Sequence, residues 1–379
     1  MRSARVRGNI LLVLLLFASV ITSGGGSIPY EWSGVERIVA VGDLHGDYEN
    51  FVKILKATEI VDNDLHWVAG KTHLVQTGDI MDRWDEARNI LDLLMRLEEE
   101  AVAAGGMVHV LLGNHEEINI TGIVFSYPDF MTLDQFISFL PDAYRRQAEK
   151  DLQKKIQRGR ASGGPAPPEQ LINEFWTSLR NDPGAQRQYV LGFNRKYGSW
   201  LMKKNVVIKI NDTVFVHGGL NEKYAAWGIE EINNRYRLEL KDLWRAIESG
   251  TDPNIARPIL IYKGDGPLWY RELATVAEAD IEEELDRTLA LLEAKHMVIA
   301  HTPRVAATTE KMKRFGGKVW IVDTGISRVF GGRLGALIIQ NGEFLVRGAN
   351  HEQNKEPSLA ASPLLPLLGR ELDLLPASL

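Results

Sequence analysis

The sequence predicts an α/β fold. Short β-rich runs alternate with stretches of helical spacing from Val35 to about Gly348, the rhythm of right-handed strand–helix–strand crossovers. The chain's Gly-, Asp- and His-bearing motifs each follow one of those runs directly, and ligands in open α/β sheets collect outside the carboxyl ends of strands. With 45% hydrophobic and 25% charged residues over 379 positions, wholesale disorder and a fibrous repeat are excluded.

The elements follow in order. Arg2, Arg5 and Arg7 precede an apolar run from Ile10 to Ile21, and small or turn-forming residues occupy Thr22 to Ser27. That layout predicts a secretory signal peptide over residues 1–27, or an uncleaved signal anchor, since a comfortable span needs roughly 20 apolar residues. The expected location is the secretory pathway, periplasm or exterior, with membrane attachment only through this segment. Arg37–Val41 reads as the first strand, Tyr48–Ala57 as a helix and Thr72–Gln76 as the second strand. In Glu86–Ala104, Ile90, Leu94, Leu97 and Ala101 share one helix face, opposite Arg88, Asp92 and Glu99. Gly105 and Gly106 end that helix, and Val108–Leu112 is the third strand. Polar helices fill about 121–205, including the Lys-, Arg- and Gln-rich Asp142–Arg160, broken by Ser162 to Pro168. This is expected to be a helical insertion within one catalytic domain of about residues 35–348. Strand patterns return at Val206–Ile210, Val214–Val216, Met297–Ala300, Val319–Val322 and Ala336–Gln340. Residues 356–379, rich in Pro, Leu, Ala and Ser, read as a flexible tail.

Forty-four Lys and Arg against fifty Asp and Glu give a net charge of −6, so a global nucleic-acid-binding surface is not expected. There is no Cys, which removes disulfides, thiolate metal sites and Cys nucleophiles. Any metal must be held by His, Asp, Asn or Glu.

Such residues stand at strand ends. Asp43 and His45 lie in Gly42-Asp-Leu-His-Gly46, Asp79 and Asp82 in Gly78-Asp-Ile-Met-Asp-Arg83, and Asn114 and His115 in Gly113-Asn-His-Glu116. His217 precedes Gly218-Gly219, and His301 lies in Ala300-His-Thr-Pro303. Asp43, His45, Asp79, Asn114, His217 and His301 are hard or borderline donors suited to two ions of the Mn, Fe or Zn kind and poorly to Ca. Asp43 and His45, two apart, can leave an extended loop on the same side and grip one ion. Asp79, with two oxygens, can bridge to a second ion completed by Asn114, His217 and His301. Two metals roughly 3.5–4 Å apart clamp a phosphoryl group and lower the pKa of a water between them.

These motifs resemble the five motifs of the phosphoprotein-phosphatase branch of the calcineurin-like metallophosphoesterases. Within it the chain most resembles the Shewanella-like protein phosphatases, on Leu74-Val-Gln-Thr-Gly-Asp79, Gly113-Asn-His-Glu-Glu-Ile-Asn119, Gly266-Pro-Leu-Trp-Tyr-Arg271 and Val322-Asp-Thr-Gly325. The resemblance implies a two-sheet β-sandwich flanked by helices, with a dinuclear centre of divalent or trivalent ions at its edge. Asp43 and His45 would bind the first metal, Asp79 would bridge, and Asn114, His217 and His301 would bind the second. His115 matches the general acid, Asp82 the carboxylate that orients it, and Arg83 a phosphate-gripping arginine. Arg271 is a second candidate for the phosphate, with Asn114 beside it. The chain departs from the family at Trp84, where Gly is usual, and at Asp323-Thr324-Gly325, where eukaryotic members carry Ser-Ala-Pro-Asn-Tyr-Cys.

The leading expectation is therefore a metal-dependent phosphomonoesterase for phosphorylated protein or peptide, working by direct attack of metal-bridging hydroxide. A nucleotide or dinucleoside polyphosphate hydrolase on the same scaffold is the alternative. A catalytically dead binding module ranks below both, because no ligand of the set is missing.

Overall fold

A computed structural model describes residues 28–161, 168–250, 260, 262–304 and 307–348. The expected export segment at 1–27 and the tail at 356–379 lie outside the described residues. Among the described residues eleven strands form two sheets: β1 (Glu31–Trp32), β2 (Arg37–Val41), β3 (His73–Gln76), β4 (Met107–Val110), β5 (Val207–Ile210), β6 (Thr213–Val216), β7 (His296–Ile299), β8 (Lys313–Arg314), β9 (Val319–Ile321), β10 (Gly335–Gln340) and β11 (Glu343–Gly348). One sheet runs β11-β10-β2-β3-β4 and the other β1-β5-β6-β7-β9-β8. β2, β3 and β4 are mutually parallel, as are β6, β7 and β9.

The apolar runs reflect burial on both faces. Ile38 and Ala40 of β2 face into a core shared with Ile208, Phe215, Val298, Trp320 and Leu337 from both sheets. Their neighbours Val39 and Val41 join the larger cluster beneath the helices. Strands covered on both sides have no polar face, so period-two alternation disappears from the sequence. The helix Tyr48–Ala57 is capped by Asp47, which accepts the Asn50 N–H at 3.2 Å. It links β2 to β3, and the helix Ala87–Ala103 links β3 to β4. In the latter Ile90, Leu94, Leu97 and Ala101 are all fully buried, as their spacing requires. Glu86 and Ala104, placed inside the helix by pattern alone, are its two caps.

The third strand begins at Met107 and ends at Val110. Leu111 instead bridges to Asn205 in parallel, drawing the chain toward the other sheet. Between these points run the helices Asn114–Thr121, Leu133–Phe139, Asp142–Ala161, Pro168–Arg180 and Pro183–Phe193. The insertion is not merely beside the core: Phe136, Tyr189, Phe193 and Tyr197 belong to the same apolar cluster as Leu94 and Leu97. Among the described residues no helix is long and apolar enough to cross a membrane.

Candidate active site

Six strand ends converge on one edge of the sandwich. Asp43 and His45 follow β2, Asp79 to Arg83 follow β3, and Asn114 and His115 open the helix after β4. From the other sheet come His217 after β6, His301 after β7 and Asp323 after β9. Close backbone approach makes the convergence possible. A Cβ on Gly42 would lie 2.4 Å from the Val322 carbonyl, and one on Gly78 2.4 Å from the Gly113 nitrogen. Glu116 then clasps the loops. Its carboxylate accepts N–H bonds from Asp79 and Gly113 (both 2.8 Å), Ile80 (2.8 Å) and Met81 (3.1 Å). His45, Asp79, Asp82, Arg83 and His301 all have positive φ, between 42° and 70°, a region that is costly for residues other than Gly and clusters at functional sites.

The side chains are deeply buried: Asp43, His45, Asp79, Asn114, His115, His217 and His301 are each at most 4% exposed. His45 Nδ1 donates to the Met81 carbonyl (3.1 Å) and His217 Nδ1 to the Thr77 carbonyl (3.0 Å). Those bonds fix the tautomer and turn each Nε2 lone pair toward the centre. His217 Nε2 meets Asn114 Oδ1 at 3.1 Å, His301 Nδ1 at 3.2 Å and Asp79 Oδ1 at 3.3 Å. His45 Nε2 lies 3.9 Å from Asp43 Oδ2 and 3.8 Å from Asp79 Oδ2. A buried gathering of acceptors aimed at one another is unfavourable unless a cation lies among them. Two sets of side chains have the geometry to hold one, Asp79 with His217 and His301, and Asp79 with His45 and His115. The donor chemistry, oxygen and imidazole nitrogen without sulfur, fits Mn, Fe or Zn.

Electrostatics divide the histidines. Burial and the charge of His115 push His45 down to about 3. Burial, with Arg271 and His217 adding to it, holds His301 well below the usual range. Both are neutral donors. Burial would also lower His115, but the carboxylates of Asp79 and Asp82 outweigh it and raise the imidazole instead. Its Nδ1 meets Asp82 Oδ2 at 2.7 Å, where Nδ1 of His45 and of His217 each meets a backbone carbonyl. His115 can therefore carry a proton toward the centre on Nε2, 3.9 Å from Asp79 Oδ2. Asp79 itself, despite burial, is held well below the usual carboxylate range by the imidazoles of His217, His115 and His45.

Asp323 is a site residue to which the sequence reading gave no role. It lines the same cavity as Asp43, Asp79 and His301, and burial pushes its carboxyl up to about 6. Its position immediately past another parallel strand is the signal that could have found it. Phe330 and Phe130 were also missed. Phe330 stands 5.0 Å from His45, and Phe130 stacks on His115 at 4.9 Å. Arg83 lays its guanidinium 3.9 Å over the Phe130 ring, at the site's rim. Arg271 reaches the same rim from the other sheet, donating to the His301 carbonyl at 2.7 Å and to Thr302 Oγ1 at 3.1 Å. All ten candidate positions of the sequence reading, including Arg271, thus fall around one site.

Residues 36–305 match the calcineurin-like phosphoesterase family. Over 300 residues the chain is 25% identical to Shewanella-like protein phosphatase 1 of Plasmodium berghei, covering 78% of this chain and 68% of that protein. Over 206 residues it is 33% identical to Shewanella-like protein phosphatase 2 of Arabidopsis thaliana, covering 53% of this chain and about half of that one (51%). The crystal structure of a cold-active protein-tyrosine phosphatase from a psychrophilic Shewanella species superposes with a TM-score of 0.60 at 26% identity, covering 86% of this chain and 83% of that one.

Proposed function

The chain belongs to the calcineurin-like phosphoesterase family, and from that membership we infer a metal-dependent phosphatase that acts on phosphoprotein. The observation that carries the reading is the pairing of a proton-bearing His115, anchored on Asp82, with a buried cluster of neutral imidazoles and carboxylates on the same cavity. Asp43, His45 and Asp79 would hold one ion, and Asp79, Asn114, His217 and His301 a second, each of the Mn, Fe or Zn class. Ions of that class supply Lewis acidity toward phosphoryl oxygens and lower the pKa of water.

The remaining roles belong to the chain. Asp82 holds the His115 ring with its proton on Nε2 toward the substrate, and His115 delivers that proton to the departing oxygen. Such assistance is worth roughly 10²–10⁴-fold and grows as the leaving group becomes more basic. Arg83, close to His115, and Arg271, bonded to the His301 carbonyl, are the phosphate-binding candidates, since a planar guanidinium can take two phosphoryl oxygens. The aromatic walls Phe130 and Phe330, together with the likeness to a protein-tyrosine phosphatase, favour a phosphotyrosyl side chain as the substrate. Export through residues 1–27 is part of the same proposal, on the arginines ahead of the Leu-rich run. N-terminal sequencing of the mature protein tests it.

The decisive assay strips the protein of metal and measures phosphate release from phosphotyrosine, phosphoserine and phosphothreonine peptides as Mn is restored, with Asp79→Asn as control. Metal-dependent release lost in the control is expected, fastest on phosphotyrosine. Release from dinucleoside polyphosphates but from no peptide would overturn the protein-phosphatase reading.

A further inference from the structure

The carboxylate that orients His115 is itself held by the helical insertion. Asp82 is fully buried and sits at a φ of 69°. Gln135, also fully buried and on the helix Leu133–Phe139, grips it twice: Nε2 donates to Asp82 Oδ1 at 2.6 Å, and Oε1 accepts the Asp82 N–H at 2.8 Å. The other oxygen, Oδ2, accepts from His115 Nδ1 at 2.7 Å and from Asn119 Nδ2 at 2.8 Å. Behind these stands Tyr189, on the helix Pro183–Phe193. Its hydroxyl donates to Asn119 Oδ1 at 2.6 Å and lies 3.3 Å from Gln135 Nε2. The Tyr189 ring is packed among Phe125, Phe136, Phe139 and Phe193, with centroids 5.4–6.2 Å away.

We propose that Gln135 and Tyr189 are positioning residues for the general acid, so that the insertion completes the proton-delivery apparatus from behind. This rests on the assignment of His115 as the acid. A carboxylate in an aromatic interior can rotate about its Cβ–Cγ bond unless donors fix both oxygens, and a rotated Asp82 no longer selects the Nδ1–H tautomer of His115. Gln135 also pins the Asp82 backbone in its left-handed conformation, where nothing intrinsic to an Asp would hold it. The two side chains come from elements 53 and 107 residues beyond Asp82.

The test compares a substrate that needs the acid with one that does not. With Mn present, kcat and KM are measured for phenyl phosphate and for dinitrophenyl phosphate on wild type, Gln135→Leu, Tyr189→Phe and His115→Asn. Gln135→Leu is expected to lose about 10- to 100-fold in kcat on phenyl phosphate and less than about 2-fold on dinitrophenyl phosphate, with KM unchanged, within the range available to general-acid catalysis. Tyr189→Phe keeps the aromatic packing and should show the same pattern, several-fold in size. Added to His115→Asn, neither change should cost more, because residues acting through one group are not additive. Equal losses on both esters, or undiminished losses in the His115→Asn background, would overturn the proposal in favour of a purely structural network. If Gln135→Leu does not fold, Tyr189→Phe carries the same comparison. Wild type that hydrolyses neither ester would instead sink the phosphatase reading itself, and this one with it.

Discussion

Glu117, one residue past the loop clasp, gives a sharp stability prediction. It is fully buried on the helix Asn114–Thr121, with Oε2 2.5 Å from the Tyr236 hydroxyl. Burial raises its carboxyl from the ordinary 4.5 to about 8, so at neutral pH the native state keeps a proton that the unfolded chain has lost. Between those values the native state binds more protons, and stability falls as pH rises. The contribution is complete below 4.5 and gone above 8. At 1.36 kcal/mol per pH unit the span amounts to about 5 kcal/mol, and relaxation of the interior brings it to roughly 2–5 kcal/mol. Glu117→Gln is nearly isosteric and never ionises. Its melting temperature, followed by circular dichroism in chelator, should therefore gain on wild type steadily from pH 5 to pH 8.5. At roughly 2 °C per kcal/mol for a chain of this size, the gain should reach about 4–10 °C. Parallel melting curves for the two proteins across that range would refute the reasoning, because they would mean that Glu117 is ionised in the folded state.

Two further perturbations test the framework. His109 meets His73 at 3.0 Å beneath Trp32, and burial, with the charge of His73, pushes it down to about 3. It folds neutral and must charge on unfolding, so its contribution is present above about 6.5 and lost as pH falls toward 3. His109→Gln should flatten the fall in melting temperature between pH 6.5 and pH 4, and an unchanged acid limb would count against the buried neutral pair. Glu116→Ala leaves four buried backbone N–H groups without their acceptor. At about 1–3 kcal/mol each, chemical denaturation should register a loss above about 4 kcal/mol, whereas a loss under about 1 kcal/mol would mean the loops hold themselves.

What was legible in the sequence is what local chemistry fixes. Asp43, Asp79, Asn114, His217 and His301 each stand within a few residues of a strand end, so strand recognition and ligand recognition were one act. Arg37–Val41 is a strand of the expected bounds because its flanks change composition sharply. The strands β1 and β8 are two residues long and carry no period. β11 alternates between half-buried and exposed positions at the sheet edge, with Leu345 half exposed, and so lacks the continuous apolar run that marked the inner strands. Glu116 was quoted within its motif without a role. Its spacing from Gly113 is that of a capping box, but the partners at Asp79, Ile80 and Met81 exist only once β3 and β4 lie side by side. Gln135 and Tyr189 carry no motif, and only packing of the insertion against the core makes them neighbours of Asp82.

The same contrast explains how one cavity can hold histidines of opposite character. His45, His301 and His115 are equally buried, and burial alone would make all three neutral. The difference lies in what each ring meets. His45 donates to a carbonyl, whose pull toward the charged form is outweighed by burial, and His301 lies near Arg271, which disfavours a charge. His115 donates to Asp82, a carboxylate made rigid by Gln135 and Asn119. Asp82 is reached from a loop in left-handed backbone, and its geometry is over-determined by side chains from two other helices. An arrangement of that kind is costly to build and has no purpose in a purely structural fold, since an apolar residue at position 82 would pack with fewer demands. It makes chemical sense if the His115 proton must be delivered at one atom and in one direction, and the leaving-group comparison measures that requirement.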